Sequence, residues 1–271
     1  MPELPEVETL KRCLEQSIIN TTITSFNKKR DNIRYKLSDD LESCVKLAKI
    51  LGLRRRAKYL LMDLDNSHSL IVHLGMTGRF TVQDAKYQAT KHDHVMLTLD
   101  NGMQLVFNDH RRFGMIYAML TSSIEEQFLQ NLGVEPLSDD MSKQYLQQKL
   151  HRNMPIKNLL MDNRIVVGIG NIYASESLFM AKILPTRPGN KLSEQDVNNL
   201  LLAIKQVLTN AISAGGTTLK DFVSGDSRPG YFQQELQVYA RENQSCRRCT
   251  GIIKKLKQSG RSSFYCTVCQ T

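Results

Sequence analysis

Two cysteine pairs near the end of the chain, Cys246-x2-Cys249 and Cys266-x2-Cys269, are separated by sixteen residues. No other feature restricts the local fold so tightly. Each Cys-x-x-Cys turn aims two thiolates at one point, and two such turns complete a sulfur tetrahedron, the donor set of a zinc ribbon. Protein then fills every coordination position, so one zinc ion is expected and its role is structural. A redox pair, which needs only one Cys-x-x-Cys, and an iron–sulfur cluster are the competing readings. Beside and between the pairs lie Arg247, Arg248, Lys254, Lys255, Lys257 and Arg261. A basic hairpin pinned by metal suits phosphate contact, although the same residues would also make the solvated face of a module too small for a core. Cys13 and Cys44 fall among apolar residues and read as core side chains.

Charge points the same way. With 36 Lys+Arg against 27 Asp+Glu the formal net charge is +9, which favours a polyanionic partner, nucleic acid first, over an acidic metabolite. At 271 residues and 41% hydrophobic content the chain can bury two cores. It has no apolar run of membrane-spanning length and no signal-peptide segment, so a cytosolic protein with reduced cysteines is expected.

The stretch 19–117 reads as short strands. Tyr59-Leu60-Leu61-Met62-Asp63-Leu64 and Ser69-Leu70-Ile71-Val72-His73-Leu74 flank a polar turn, and two further apolar runs flank Asp100-Asn101-Gly102, a strong hairpin signal. This predicts an antiparallel sandwich packed on a first helix. After Ser122 the pattern changes to helices over about 124–132, 141–151, 157–161, 173–181 and 193–214, the last opening at Ser193 as N-cap and closing at Gly215-Gly216. A loop rich in Gly, Ser and Pro spans 223–231.

The chemistry concentrates at the other end, in Met1-Pro2-Glu3-Leu4-Pro5-Glu6-Val7-Glu8. If Met1 is removed, the new terminus is a proline whose ring nitrogen is a secondary amine. Such an amine attacks electrophilic carbon and forms an iminium when held unprotonated, and an ordinary α-amine titrates near pH 8. Pro5 fits the first turn of a helix, Glu3 and Glu6 then share a face beside the amine, and Val7, Leu10 and Leu14 mark the core face. A carboxylate so placed can serve as general acid or base, whereas the bland alternative is a capped surface helix. Elsewhere, Gly168-Ile169-Gly170-Asn171 precedes a helix that Asn171 would cap, and Arg111, Phe113 and Met76 make a plausible base-stack wedge or an ordinary core edge. Lys58 reads as a catalytic ammonium or one more phosphate contact.

Taken together these motifs resemble the formamidopyrimidine-DNA glycosylase family, nearly end to end. The resemblance rests on the terminal Pro-Glu-Leu-Pro-Glu-Val-Glu, Arg-Arg-Ala-Lys-Tyr-Leu-Leu around Lys58, and His73-Leu74-Gly75-Met76. It rests equally on Lys91-His92-Asp93-His94, Arg111-Arg112-Phe113-Gly114, Gly168 to Tyr173, Glu235-Leu236-Gln237-Val238-Tyr239 and the four cysteines. It implies an α+β fold: a catalytic β-sandwich domain with a terminal helix (1–125), a helix-two-turn-helix DNA-binding domain (126–235) and a zinc finger (236–271). It further implies a bacterial, cytoplasmic, monomeric base-excision-repair enzyme acting on double-stranded DNA with a damaged base, removing oxidised purines and cleaving the strand by β,δ-elimination, without a small-molecule cofactor.

By the same resemblance Pro2 is the nucleophile, Glu3 the proton donor, Glu6 a support to the site, and Lys58 and Arg261 act in the β and δ steps. Met76, Arg111 and Phe113 would fill the void left by the extruded nucleotide, with Arg111 on the orphan cytosine. His73, His92, Arg152, Lys157, Asn171 and Tyr239 fall at DNA-contacting positions, and the 223–231 loop matches the one that closes over the base. Asn158, Ala240 and His110 depart from the family pattern without touching a catalytic position. The endonuclease VIII group, acting on oxidised pyrimidines, is the nearest rival, and Leu4 and the loop speak against it. A non-catalytic zinc-dependent DNA-binding protein and a ribosome-associated helical protein are more distant rivals. The first leaves Pro2 unexplained, the second the β-rich half.

Overall fold

The first helix starts where a capping box can form. Glu3 is the extended N-cap of α1 (Leu4–Ile18), Pro5 sits in its first turn, and the Glu3 N–H donates to Glu6 Oε2 at 2.8 Å. Its buried stripe of Val7, Leu10, Leu14 and Ile18 enters the core of the first unit, as the 3.6-residue period predicts. This computed structural model describes residues 2–217 and 232–271; Met1 and the 223–231 loop lie outside the described residues.

The described residues divide into two units, 2–130 and 131–217 with 232–271. In the first, the strands in chain order are β1 (Ile23–Lys28), β2 (Ile50–Arg56), β3 (Tyr59–Leu64), β4 (His68–His73), β5 (Arg79–Gln83), β6 (Asp93–Leu99), β7 (Gln104–Asn108) and β8 (Met115–Leu120), with a short α2 (Leu41–Val45) between β1 and β2. They form two antiparallel four-stranded sheets, β1-β6-β7-β5 and β2-β3-β4-β8. Leu60, Met62 and Val72 from one sheet and Phe80, Leu97 and Phe107 from the other share a core with α1, so the sandwich expected from the sequence is the observed one.

The β6–β7 turn is built differently from a two-residue hairpin. Only Gly102 takes a positive φ, +81°, while its N–H bonds to Leu99 O at 3.0 Å and the Leu99 N–H bonds to Met103 O at 2.9 Å. That is a tight turn closed by a left-handed glycine, with Asn101 Oδ1 accepting from Met103 N–H at 3.0 Å. In place of the helix expected over 124–132, the segment 121–129 forms a 3-10 turn (Thr121–Ser123) and a π turn (Glu125–Leu129). Only Ile124 and Leu129 of that segment are buried, too few apolar anchors to hold an α-helix.

The second unit contains α3 (Lys143–Leu150), α4 (Ile156–Leu160), α5 (Asn171–Met180), α6 (Glu194–Ser213) and α7 (Phe232–Glu235), then the hairpin β9 (Ile253–Gln258) and β10 (Arg261–Cys266). Ser193 caps α6 in a reciprocal box with Asp196, and Gly215 and Gly216 end it with φ of +76° and +78°. Leu146, Leu159, Tyr173, Leu178, Ile204 and Leu208 belong to one helical core. A smaller cluster of Phe179, Val238, Ile253 and Phe264 lies under the cysteines. Among the described residues no helix is long and apolar enough to cross a membrane.

Candidate active site and zinc module

The capping box that starts α1 also buries two carboxylates at the chain terminus. Glu3 and Glu6 are 1% and 0% exposed, and Pro2 beside them is half-buried. A buried carboxylate needs hydrogen-bond donors, and the Glu3 N–H supplies one to Glu6. Further along α1, Glu8 Oε2 accepts from Arg55 Nε at 3.0 Å, and Arg55 Nη1 donates to Ala57 O at 3.0 Å. Burial would raise the Glu8 carboxyl, but the bonds from Arg55 and Arg12 carry it below the ordinary carboxylate range. One guanidinium therefore ties α1 to the β2–β3 turn. That turn is short, since Arg56 pairs with Tyr59, and Ala57 takes φ +55° to make it. It presents Lys58. Arg55 and Glu8 were not singled out by sequence reasoning; an Arg two residues before a turn carries no signal of where its partner lies.

His73 lies opposite Tyr59 on the neighbouring strand, with ring centroids 5.0 Å apart, and its Nδ1 accepts from Gly75 N–H at 3.1 Å. Burial, then the charges of Lys58 and Arg34, lowers its pKa to about 4. It is therefore a neutral imidazole at pH 7, with Nε2 carrying the proton.

Met76 and Phe113 are 40% and 42% exposed although both are large and apolar, and the Arg111 guanidinium sits 4.9 Å above the Phe113 ring. The three wedge candidates thus project from two facing loops. Gly75 takes φ +62°, and a Cβ there would fall 2.4 Å from the Phe113 backbone, so only glycine permits the approach. His92, half-buried, stands with its ring 6.0 Å from exposed His110.

In the second unit Arg152 is exposed after α3. Lys157 is 2% exposed, and its Nζ donates to Asn171 Oδ1 at 2.6 Å, Ser262 O at 2.9 Å and Ser263 Oγ at 2.8 Å. The sequence predicts that Asn171 caps α5, and it does not. Gly170 is the N-cap, and the Asn171 amide is held away by Lys157 and by its own bond to Ser262 O at 2.9 Å. Tyr239 packs edge-on against Phe264 at 5.1 Å, and its N–H, with those of Gln237 and Val238, donates to buried Glu176 at 2.8 to 3.0 Å. Arg261 is exposed just past the β9–β10 turn, where Ser259 and Gly260 have φ of +47° and +76°.

Below that turn the sulfurs of Cys246, Cys249, Cys266 and Cys269 lie within 4.8 Å of one another. Close pairs are 3.4 to 3.8 Å apart, about what tetrahedral zinc with bonds near 2.3 Å requires. The N–H groups of Arg248 and Gly251 point at Cys246 Sγ and Cys249 Sγ at 3.4 and 3.3 Å, donors that stabilise thiolates. The donor set fits one structural zinc ion and leaves no open position. Cys13 and Cys44, half-buried and with thiols raised by burial, stand apart from it.

Three family models match the chain in order: formamidopyrimidine-DNA glycosylase N-terminal domain over residues 1–116, formamidopyrimidine-DNA glycosylase H2TH domain over 132–223, and zinc finger found in FPG and IleRS over 243–271. Sandwich, helical unit and cysteine hairpin together define a zinc-finger DNA glycosylase, an enzyme of base excision repair. The chain is 57% identical to the formamidopyrimidine-DNA glycosylase of Rickettsia conorii and 58% identical to that of Rickettsia bellii, in each case over 100% of this chain and 99% of the relative. It is also similar to the Lactococcus lactis enzyme solved in complex with Fapy-dG-containing DNA, with TM-score 0.92, 33% identity and coverage of 99% and 100%. The Thermus thermophilus enzyme gives TM-score 0.88, 36% identity and coverage of 99% and 98%. The chain belongs to the formamidopyrimidine-DNA glycosylase family.

Proposed function

We propose that this protein binds double-stranded DNA carrying an oxidised purine, 8-oxoguanine or a formamidopyrimidine, excises the base and then cleaves the strand. The observation that carries the reading is the pair of buried carboxylates, Glu3 and Glu6, held at a terminus whose next residue is Pro2. The lone pair of the Pro2 nitrogen attacks C1′, the glycosidic bond breaks, and the base leaves with the bonding electrons and a proton that Glu3 supplies or relays. Opening of the sugar ring gives an iminium at C1′. This cation cannot be neutralised by loss of an N–H proton, so it withdraws electrons until a C2′ proton is lost and the 3′ phosphate departs; elimination of the 5′ phosphate follows. Lys58 serves the first elimination. Arg261, always charged and a poor acid, serves the second by stabilising the departing phosphate. Glu6 supports the site by holding the Glu3 backbone.

In this reading Met76, Arg111 and Phe113 occupy the space vacated by the extruded nucleotide, and Arg111 reads the orphan cytosine. His73, His92, Arg152, Lys157, Asn171 and Tyr239 bind the DNA backbone, Lys157 by way of the network it makes with Asn171 and the zinc hairpin. The zinc ion holds that hairpin in shape and takes no part in the reaction. The relatives are bacterial enzymes, and in this reading the protein works in the cytosol on the chromosome, as a monomer on one duplex.

Borohydride trapping tests the reading. A duplex with 8-oxoguanine opposite cytosine and a thymine glycol duplex are treated in parallel, and the adduct is mapped by mass, which also reports whether Met1 is absent. The expected result is a cross-link at Pro2 that prefers the purine lesion. Pro2→Gly is expected to lose at least about 100-fold in excision while keeping its DNA affinity. Preference for thymine glycol would reassign the substrate class, and a near wild-type rate in Pro2→Gly would sink the nucleophile.

A further inference from the structure

The loop that carries Met76 and the loop that carries Arg111 and Phe113 are joined by a side-chain pair that spans both. Asp109 is fully buried. Its Oδ1 accepts from Thr77 Oγ1 at 2.5 Å, and its Oδ2 accepts from the Gly114 N–H at 2.8 Å. Thr77 closes the circuit, since its Oγ1 also accepts from the Arg111 N–H at 3.3 Å. The Asp109 main chain is anchored as well: its N–H donates to His92 O at 3.0 Å, and its carbonyl accepts from buried His94 Nε2 at 2.8 Å. Between the two wedge residues Arg112 takes φ +59°, a left-handed conformation that a side chain enters only when neighbours enforce it, and its N–H is held by Asp109 O at 3.3 Å. Gly114 completes the fit, because a Cβ there would fall 2.5 Å from the Phe107 ring and 3.1 Å from Asp109 Oδ2.

From this geometry we infer that Thr77 and Asp109 are positioning residues that set the height and angle at which Arg111 and Phe113 enter the duplex, and with them the reading of the orphan base. The inference rests on the wedge role given to Met76, Arg111 and Phe113 above. A buried carboxylate with donors from two loops makes those loops one body; without the Thr77 hydroxyl, Oδ1 loses its donor and the Arg111 N–H its acceptor. Arg111 reads a base edge by hydrogen bonds, so a displacement of a fraction of an ångström degrades discrimination before it degrades folding.

The test uses the full-length enzyme with Thr77→Val, Thr77→Ala and Thr77→Ser. Excision of 8-oxoguanine is measured under single turnover opposite cytosine and opposite adenine, alongside thermal unfolding and borohydride trapping on a single-stranded abasic oligonucleotide, which has no orphan base. Thr77→Val is expected to lose about tenfold in excision opposite cytosine and to shrink the cytosine-to-adenine ratio by a similar factor. Trapping on the single strand stays at the wild-type level, and Thr77→Ser restores the ratio. Thr77→Ala answers the same question should the valine disturb packing. A ratio unchanged in the valine and alanine variants, or a serine variant as impaired as valine, would overturn the inference while leaving the glycosylase reading intact. A wild-type enzyme that neither excises nor traps would overturn the reading on which it stands.

Discussion

At the scale of single residues the site depends on what burial does to polar groups. His73 shows the size of the effect. Its pKa falls from 6.5 to about 4 through burial and then through the charges of Lys58 and Arg34. Between those two pH values the unfolded chain binds a proton that the folded chain refuses. Stability therefore falls as the pH drops from 6.5 toward 4 and is regained as it rises, by about 3 kcal/mol over the full window. Urea unfolding followed across this range is expected to show the decline, and His73→Gln, which cannot titrate, is expected to lose most of it. An unchanged pH profile in the variant would place the titration elsewhere. The neutral imidazole keeps Nδ1 on the Gly75 N–H and leaves Nε2 as a donor, the form suited to a phosphate oxygen.

At the scale of elements, the β9–β10 hairpin owes its shape to metal more than to its own packing. The cluster beneath it contains few buried side chains, and two of them, Cys246 and Cys266, are ligands. Outward from that cluster, Ser262 O and Ser263 Oγ receive the ammonium of Lys157 from α4, and Asn171 at the start of α5 bonds the same Ser262 carbonyl. A hairpin that loses zinc therefore also releases Lys157 and Asn171. Cys249→Ser is expected to reduce zinc, measured by atomic emission, from one ion per chain to a small fraction, and to weaken DNA binding by about tenfold or more. DNA affinity that survives zinc loss would remove the module from the binding surface. Glu176 plays the corresponding part on the other side of α5, where its carboxylate gathers the Gln237, Val238 and Tyr239 N–H groups. Burial raises that carboxyl against the pull of the three donors.

For the molecule as a whole the excess of nine positive charges sets the long-range part of recognition. Each phosphate neutralised by a cation adds about 0.9 to the slope of log affinity against log salt. Arg152 is exposed, as a residue acting in this way must be. Arg152→Ala is expected to weaken binding to any duplex and to lower that slope by about one, read by fluorescence anisotropy over a salt series. A variant with reduced affinity and an unchanged slope would show that Arg152 acts through structure and not through charge. Specificity for the lesion is expected to stay as in the wild type, since phosphate contacts position the protein and carry no base information.

Short-range patterns are legible in the sequence because their cause is local. Two Cys-x-x-Cys pairs bring four thiolates to one ion, Ser193 caps the helix that follows, and a glycine after Asp100-Asn101 turns the chain. The α+β architecture followed from where strand periodicity gives way to helix periodicity. The candidate site residues were identifiable only through the order of several motifs, since none announces its chemistry alone. Tertiary structure decided what joins them. Thr77 meets Asp109 across 32 residues, Arg55 meets Glu8 across 47, and Lys157 meets Ser263 across 106. No periodicity connects such positions, and a single sequence contains nothing that distinguishes an aspartate bound for a surface turn from one that will lock two loops together. Asn171 makes the same point in reverse: its side chain suits a helix cap, yet a lysine and a carbonyl brought in from elsewhere in the fold claim it first.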